Sequence, residues 1–332
     1  MIVFSVSVLI LLIPTNSYAG SSVSVQCGDM IGGTSQALDG AGNPASTNPG
    51  AIVLISQSDG SQTLIGDPTA AGSLPGLDFD GAGMLWGVNN IAPGGALSNP
   101  TSFLIKINPN TGALISSVAI TTVVAGVPVS IQDLGVDPVT DVLFGTTHPL
   151  DTGIGSSSLV TIDKATGFVT LKGLQGALSN IDEGLALDFA PDGTLYVTKI
   201  VGGVLTIVNP GDASQIGASV GIGVAPPGLG VKDDGTIFVS QAPGSPASII
   251  HTVNPSDGST TLIGDGVDDH IVDLTFVVCP TGGESIGGEL LSIDSTALML
   301  AGLQSSAVWM IPTLVGLAGA GFYLIKFRTT KE

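Results

Sequence analysis

"HTVNPSDGSTTLIGDG", residues 251–266, decides the fold. It reads as two short β-rich runs around a turn, with Asn254 opening the turn and Gly258 closing it. An Asx side chain caps such a turn, and a glycine supplies the positive φ that sends the chain back. Four cousins align with it: "LISQSDGSQTLIG" (54–66), "KINPNTGALISSV" (106–118), "TIDKATGFVTLKG" (161–173) and "IVNPGDASQIGAS" (207–219). Ser56, Asn108, Asp163, Asn209 and Asn254 share one column, and four residues later stand Gly60, Gly112, Gly167, Ala213 and Gly258.

A second motif alternates with the first. It reads "GLDFDGAGMLWGV" (76–88), "DLGVDPVTDVLFGT" (133–146), "ALDFAPDGTLYVT" (186–198), "GLGVKDDGTIFVS" (228–240) and a final "DLTFVV" (273–278). Period-2 apolar residues flank a Gly or Asp turn, so each full copy is another strand pair. Two pairs per unit, with the turn column recurring after 52, 55, 46 and 45 residues, make four strands per repeat. That is the signature of a β-propeller blade, because solenoid repeats are shorter and immunoglobulin-like modules longer.

The series opens on the first motif and closes on a truncated second one. "DLTFVV" is therefore expected to join the N-terminal hairpin in one composite blade, which closes a ring of five four-stranded blades without an open sheet edge at the join. Residues 20–49 form a lead-in carrying Cys27, and leave room for a sixth, degenerate blade. Residues 50–280 form the propeller.

These motifs resemble NHL- and YVTN-type propellers, in which a "GLAFDPDGTLYV"-like pair precedes an "LYxIDPxTG"-like pair. The resemblance spans roughly residues 50–278 and implies the fold. It implies little about activity: propellers of similar style include lyases, but that is analogy at the level of fold.

The two ends carry an address. Residues 1–19, "MIVFSVSVLILLIPTNSYA", read as a signal peptide cut after Ala19, although no Lys or Arg precedes the apolar run. Residues 281–304 are a Gly-rich linker. The 21 uncharged residues of 305–325 are long enough to cross a bilayer as a helix. Lys326, Arg328 and Lys331 follow in a basic tail, 326–332, expected on the cytoplasmic side. The segment 285–327, with "ELLSIDSTALMLAG" before the apolar run, resembles the C-terminal tail of many predicted surface proteins of ammonia-oxidising archaea. That resemblance implies a shared export or anchoring route. The expected location is the cell surface, with the propeller outside.

Between the ends, residues 20–296 hold 26 acidic side chains and five Lys, a balance of −21. Such a surface repels phosphate backbones, which excludes nucleic acid as a partner. Cys27 and Cys279 flank the repeats, and in an exported chain they are expected to pair as a clasp.

The chemistry is sparse. There is no H-E-x-x-H, and His148, His251 and His270 lie far apart in sequence. Carboxylates give a better lead, because Asp133, Asp182, Glu183, Asp269 and Asp273 fall where innermost strands begin. Converging carboxylates suit a hard cation, so calcium is the candidate ligand. The longest insertions, 89–101, 119–130 and 147–156, put Asn89, Asn90, His148 and Asp151 on a candidate binding face. The leading expectation is a non-enzymatic recognition or envelope-structure module contacting a cell-surface protein or glycan. The alternative is an extracellular lyase or hydrolase, which a histidine near Glu183 or Asp273 would favour.

Overall fold

The computed structural model describes residues 23–35, 48–69, 72–91, 101–122, 130–147, 157–173, 186–199, 202–241, 248–264 and 269–279. The expected signal peptide, the membrane span 305–325, the basic tail, and His148, Asp151, Asp182 and Glu183 lie outside these residues. Among the described residues no helix is long and apolar enough to cross a membrane.

Five antiparallel sheets form the blades of an all-β propeller. Blade 1 is composite: Ile271–Phe276 is innermost, followed outward by Met30–Thr34, Ile52–Ile55 and Gln62–Gly66. Blade 2 comprises Ser73–Phe79, Leu85–Ile91, Thr101–Ile107 and Leu114–Ala119. Blade 3 comprises Ile131–Val136, Leu143–Thr147, Leu159–Ile162 and Phe168–Lys172, with Thr121–Thr122 added in parallel along its outer edge. Blade 4 runs through Leu187–Phe189, Leu195–Lys199, Val204–Val208 and Gln215–Gly221. Blade 5 runs through Gly228–Val231, Ile237–Gln241, Ile249–Val253 and Thr260–Gly264.

The terminal strand closes the ring as the repeat order requires. Met30 pairs with Phe276 on one side and with Ile55 on the other. The lead-in expected over 20–49 thus supplies a strand of blade 1, and the ring starts ahead of residue 50. Cys27 and Cys279, 252 residues apart, are disulfide-bonded with Cα atoms 4.9 Å apart, just beyond the ends of that strand pair.

The turn column behaves as its residue types dictate. In each blade the residue four places after the Asx or Ser donates its N–H back to that residue's carbonyl, from Gly60 to Ser56 through Gly258 to Asn254, at 2.8 to 2.9 Å. All five carry positive φ, Ala213 included at 60°.

The same glycines have a second task. Gly60, Gly112, Gly167 and Gly258 each lie against the end of the outer strand of the preceding blade, at Gly264, Gly66, Ala119 and Gly221 respectively. At Gly112 a Cβ would run into Gly66, and at Gly258 into the Gly221 carbonyl. The apolar core sits between blades. Phe144 of blade 3 packs on Phe189 of blade 4, and Phe238 of blade 5 on Phe276 of blade 1, each pair with centroids 5.1 Å apart. Fully burying side chains of this size contributes roughly 1.5–3 kcal/mol each.

Candidate functional site

Around the axis the innermost strands align in one direction, and two columns of short side chains face the next blade. The first column holds Asp273, Gly76, Asp133, Ala186 and Gly228, and the second Thr275, Asp78, Gly135, Asp188 and Gly230, in blades 1 to 5. Each aspartate clamps its own blade to the next through main-chain N–H groups. Asp273 Oδ2 accepts from Leu77, Asp78 Oδ2 from Val136 at 2.5 Å, Asp133 Oδ2 from Leu187 at 2.7 Å, and Asp188 Oδ2 from Val231 at 2.6 Å. The other oxygen of each carboxylate accepts the N–H of the following residue, at 2.7 to 2.8 Å. Thr275 adds a hydroxyl donor to Asp78 at 2.8 Å.

The clamps alternate in height. Going round the ring they use the first column, the second, the first and the second, and the seam between blades 5 and 1 has none. Like charges repel most at equal height, and strict alternation is impossible over five seams. A fifth aspartate in either column would share its height with an adjacent clamp. Glycines fill both columns at that seam, and a Cβ on Gly228 would come within 2.8 Å of the Asp273 Cα. The seam is held instead by Ser240, whose hydroxyl donates to the Ile271 carbonyl at 3.0 Å, and by Ser248, which accepts the Ile271 N–H at 2.8 Å.

All four axial aspartates are buried. Burial pushes Asp78 up to about 6, against the bonds from Val136, Thr275 and Phe79 and the Lys164 charge that favour its ionised form. Burial likewise drives Asp133, Asp188 and Asp273 well above the usual carboxylate range, and neighbouring axial carboxylates push in the same direction.

Of the expected calcium ligands, the structure brings Asp133 and Asp273 together at the axis, with every carboxylate oxygen accepting an N–H. Asp269 lies just outside the inner strand of blade 1 and accepts the Asn48 N–H at 3.3 Å. Among the described residues no group of three or more His, Cys, Asp or Glu is arranged to hold a metal ion. Asp78 and Asp188 were not among the expected site residues. Their signal is an aspartate two places after a small residue, Gly76 or Ala186, in an otherwise apolar strand.

The sheet order sorts the connections. The tight turns that join first to second and third to fourth strands all lie at one end of the ring. At the other end lie the remaining connections; 67–69, 202–203 and 222–227 are described there, while 36–47, 92–100, 123–129, 148–156, 174–185, 242–247 and 265–268 lie outside the described residues. Asn89 and Asn90 stand at this second end. Asn90 donates to the Ile131 carbonyl at 2.8 Å and accepts the Ser102 hydroxyl. Asn89 is buried, and its Oδ1 has no hydrogen-bond partner among the described residues.

His270 directly precedes the innermost strand of blade 1, also at the connection end. His251 sits in the third strand of blade 5 and shares a 3.0 Å hydrogen bond with Gln241. Burial lowers the affinity of both rings for a proton. Gly217–Gly221, "GASVG", spells a G-x-S-x-G nucleophile motif. It lies on the exposed outer strand of blade 4 rather than on a strand-to-helix elbow, with the Ser219 hydroxyl bonded to Thr206 at 2.7 Å. On the turn end, an open groove of about 430 Å³ is lined by Asp234, Thr236, Thr252, Asn254, Ser259 and Thr261, among others.

No protein-family model matches the chain, and no curated protein does. Solved propellers are similar at low identity. A putative gluconolactonase shares 15% identity at a TM-score of 0.45, over 70% of this chain and 74% of that one. A chain of a nidogen/laminin complex shares 12% at 0.42, over 76% of this chain and 100% of that one. Aldose sugar dehydrogenase from Streptomyces coelicolor shares 10% at 0.40, over 81% and 93%. The blade architecture rests on the strand pairing itself.

Proposed function

We propose that this chain is an exported, membrane-anchored recognition module, in which a rigid five-bladed ring presents the connections of one end to a cell-surface protein or glycan. The observation that carries the reading is the segregation of connections. The turn end is built of short, internally bonded turns, and the variable length is collected at the other end. Binding residues concentrate on such connections when a rigid scaffold positions them. The axial acids favour the same reading, because their oxygens are committed to holding blades together. The apolar stretches at the two chain ends support export and anchoring, and the −21 balance of residues 20–296 argues for a neutral or cationic partner surface.

Binding of the full chain to isolated envelope material from the same cells tests this. A variant with 92–100, 123–129 and 148–156 replaced by short Gly-Ser segments is expected to lose saturable binding. The turn-end substitution Asp257→Asn is expected to keep it. The reverse pattern overturns the proposal.

Catalysis on a small molecule or glycan at the connection end is the second reading. It is favoured by the place of His270, three residues before Asp273. Turnover abolished by His270→Ala, with binding retained, would select it.

A further inference from the structure

The outer strands of the ring carry no acid. Gln62–Gly66, Leu114–Ala119, Phe168–Lys172, Gln215–Gly221 and Thr260–Gly264 hold a single charged side chain, Lys172, in a chain of net charge −19. Among the described residues nine large apolar side chains stand exposed, and six of them lie on these strands: Leu64, Leu114, Ile115, Phe168, Ile216 and Leu262. An open strand edge is usually guarded by charge or by a bulge, and here the guard is the bulge. The register between third and fourth strands shifts in blades 1, 2, 4 and 5. It is unbroken in blade 3, whose edge the chain covers with its own Thr121–Thr122. Strand addition is thus discouraged round the rim, while the apolar side chains stay presented.

Blades 5 and 1, neighbours in the ring, present them twice in the same form. Residues 58–66, "SDGSQTLIG", and 256–264, "SDGSTTLIG", differ only at Gln62 and Thr260. Their turns are built alike. Asp59 Oδ1 accepts the Ser61 N–H at 3.1 Å and its hydroxyl at 2.8 Å, and Asp257 Oδ1 accepts those of Ser259 at 2.9 and 2.7 Å. Leu64 is 39% exposed and Leu262 57%. Each stands on an uncharged strand with a turn acid ahead of it, an apolar centre beside a polar rim.

We propose that blades 5 and 1 form the contact of a two-fold homodimer, in which Leu64 of each copy packs on Leu262 of the other. An isologous contact needs a surface that is its own complement, and matching half-sites on adjacent blades supply one. Charge selects the occupant. A cationic partner is drawn to the acid-bearing turns, and an anionic surface is repelled by them. A second copy, equally acidic, approaches closely only where the strands bring no carboxylate, and the outer strands are such a surface. The contact leaves the connection end free, so dimerisation and recognition are separable.

The particle mass of the full chain in detergent, followed by sedimentation over a concentration series, tests this. The parent is expected to pass from one chain per particle to two. Leu64→Glu with Leu262→Glu opposes carboxylates across the contact, and the dissociation constant should rise at least about tenfold, as for loss of a central contact. Ile216→Glu places the same charge on the outer strand of blade 4 and should leave the parent constant in place. Added salt should tighten the dimer, because it screens repulsion between acidic copies and leaves the apolar contact standing. A parent that stays single, a dimer that survives the paired Glu substitutions, an equal loss from Ile216→Glu, or dissociation by salt overturns the proposal. Should the Glu pair not fold, mild oxidation of Leu64→Cys chains mixed with Leu262→Cys chains decides. Cross-linking in the mixture above that of either variant alone supports the contact, and equal cross-linking refutes it.

Discussion

Leu187, on the innermost strand of blade 4, gives its main-chain N–H to the carboxylate of Asp133 on blade 3, 54 residues earlier in the chain, at 2.7 Å. A side chain here does what strand pairing does within a sheet, and it does so between sheets that share no ladder. Asp188 repeats the device with Val231 at 2.6 Å. Removing either acid strands a buried N–H, which costs about 1–3 kcal/mol. Asp188→Ala is expected to lower the stability of the full chain by about 2 kcal/mol in denaturant titration, through its midpoint and without a change in slope. A loss below about 0.5 kcal/mol would mean that apolar packing alone holds the seam.

The outer seam makes a separate prediction. Gly235 and Gly258 both sit at positive φ, 82° and 75°, but an added Cβ on Gly235 meets nothing within 4 Å. Gly235→Ala should therefore cost only the backbone strain, about 1 kcal/mol. Gly258→Ala adds a clash with the Gly221 carbonyl of the neighbouring blade and should cost at least about 1 kcal/mol more, since close-packed contacts relax only in part. Equal losses in thermal or denaturant unfolding would show that the outer rim carries no seam contact.

How much of this was legible in the sequence depends on range. The turns were readable because cause and effect lie four residues apart, as from Asn254 to Gly258. Ring closure was readable because "DLTFVV" lacked its partner pair. Met30–Thr34, "MIGGT", was not readable as a strand. Gly32 and Gly33 break the apolar alternation, and they do so because Ile55, Ile271 and the Leu74 backbone crowd the positions where a Cβ would stand. The axial clamps were hidden for a similar reason. Asp78 and Val136 meet across 58 residues, so the partner that makes this acid a clamp lies far away in sequence. Asp80, two residues on, is a turn acid, accepting from Ala82 and Met84 and from the Trp86 ring.

The clasp can be weighed alone. Cys27 and Cys279 close a loop of 252 residues, so the chain-entropy model assigns the bond up to about 5 kcal/mol. Cys27→Ser with Cys279→Ser should melt well below the oxidised parent and coincide with the parent under reductant. If the double variant melts with the oxidised parent, hydrogen bonding in blade 1 suffices for closure.

Acid should eventually undo the fold from the outside. Serine or threonine hydroxyls and main-chain N–H groups hold Asp163, Asp192, Asp212, Asp234 and Asp257 below the usual carboxylate range. A depressed acid supports the fold above its unfolded value and loses that support as pH falls through its folded one. With the axial acids acting oppositely, stability against pH is expected to peak on the acid side of neutrality. A peak at alkaline pH, in melting curves across the range, would contradict this sign.

Amide hydrogen exchange at Leu77, Val136, Leu187 and Val231, followed in the folded full chain with and without added calcium, is the most direct test of the central claim. That claim is that the axial carboxylates hold the ring and leave recognition to the connection end. These four amides should exchange only through global unfolding, at the same slow rate in either condition. Fast exchange at these positions, or protection that appears only with calcium, would mean that the carboxylates turn toward a bound ion and that the axis, not the rim of connections, is the working site.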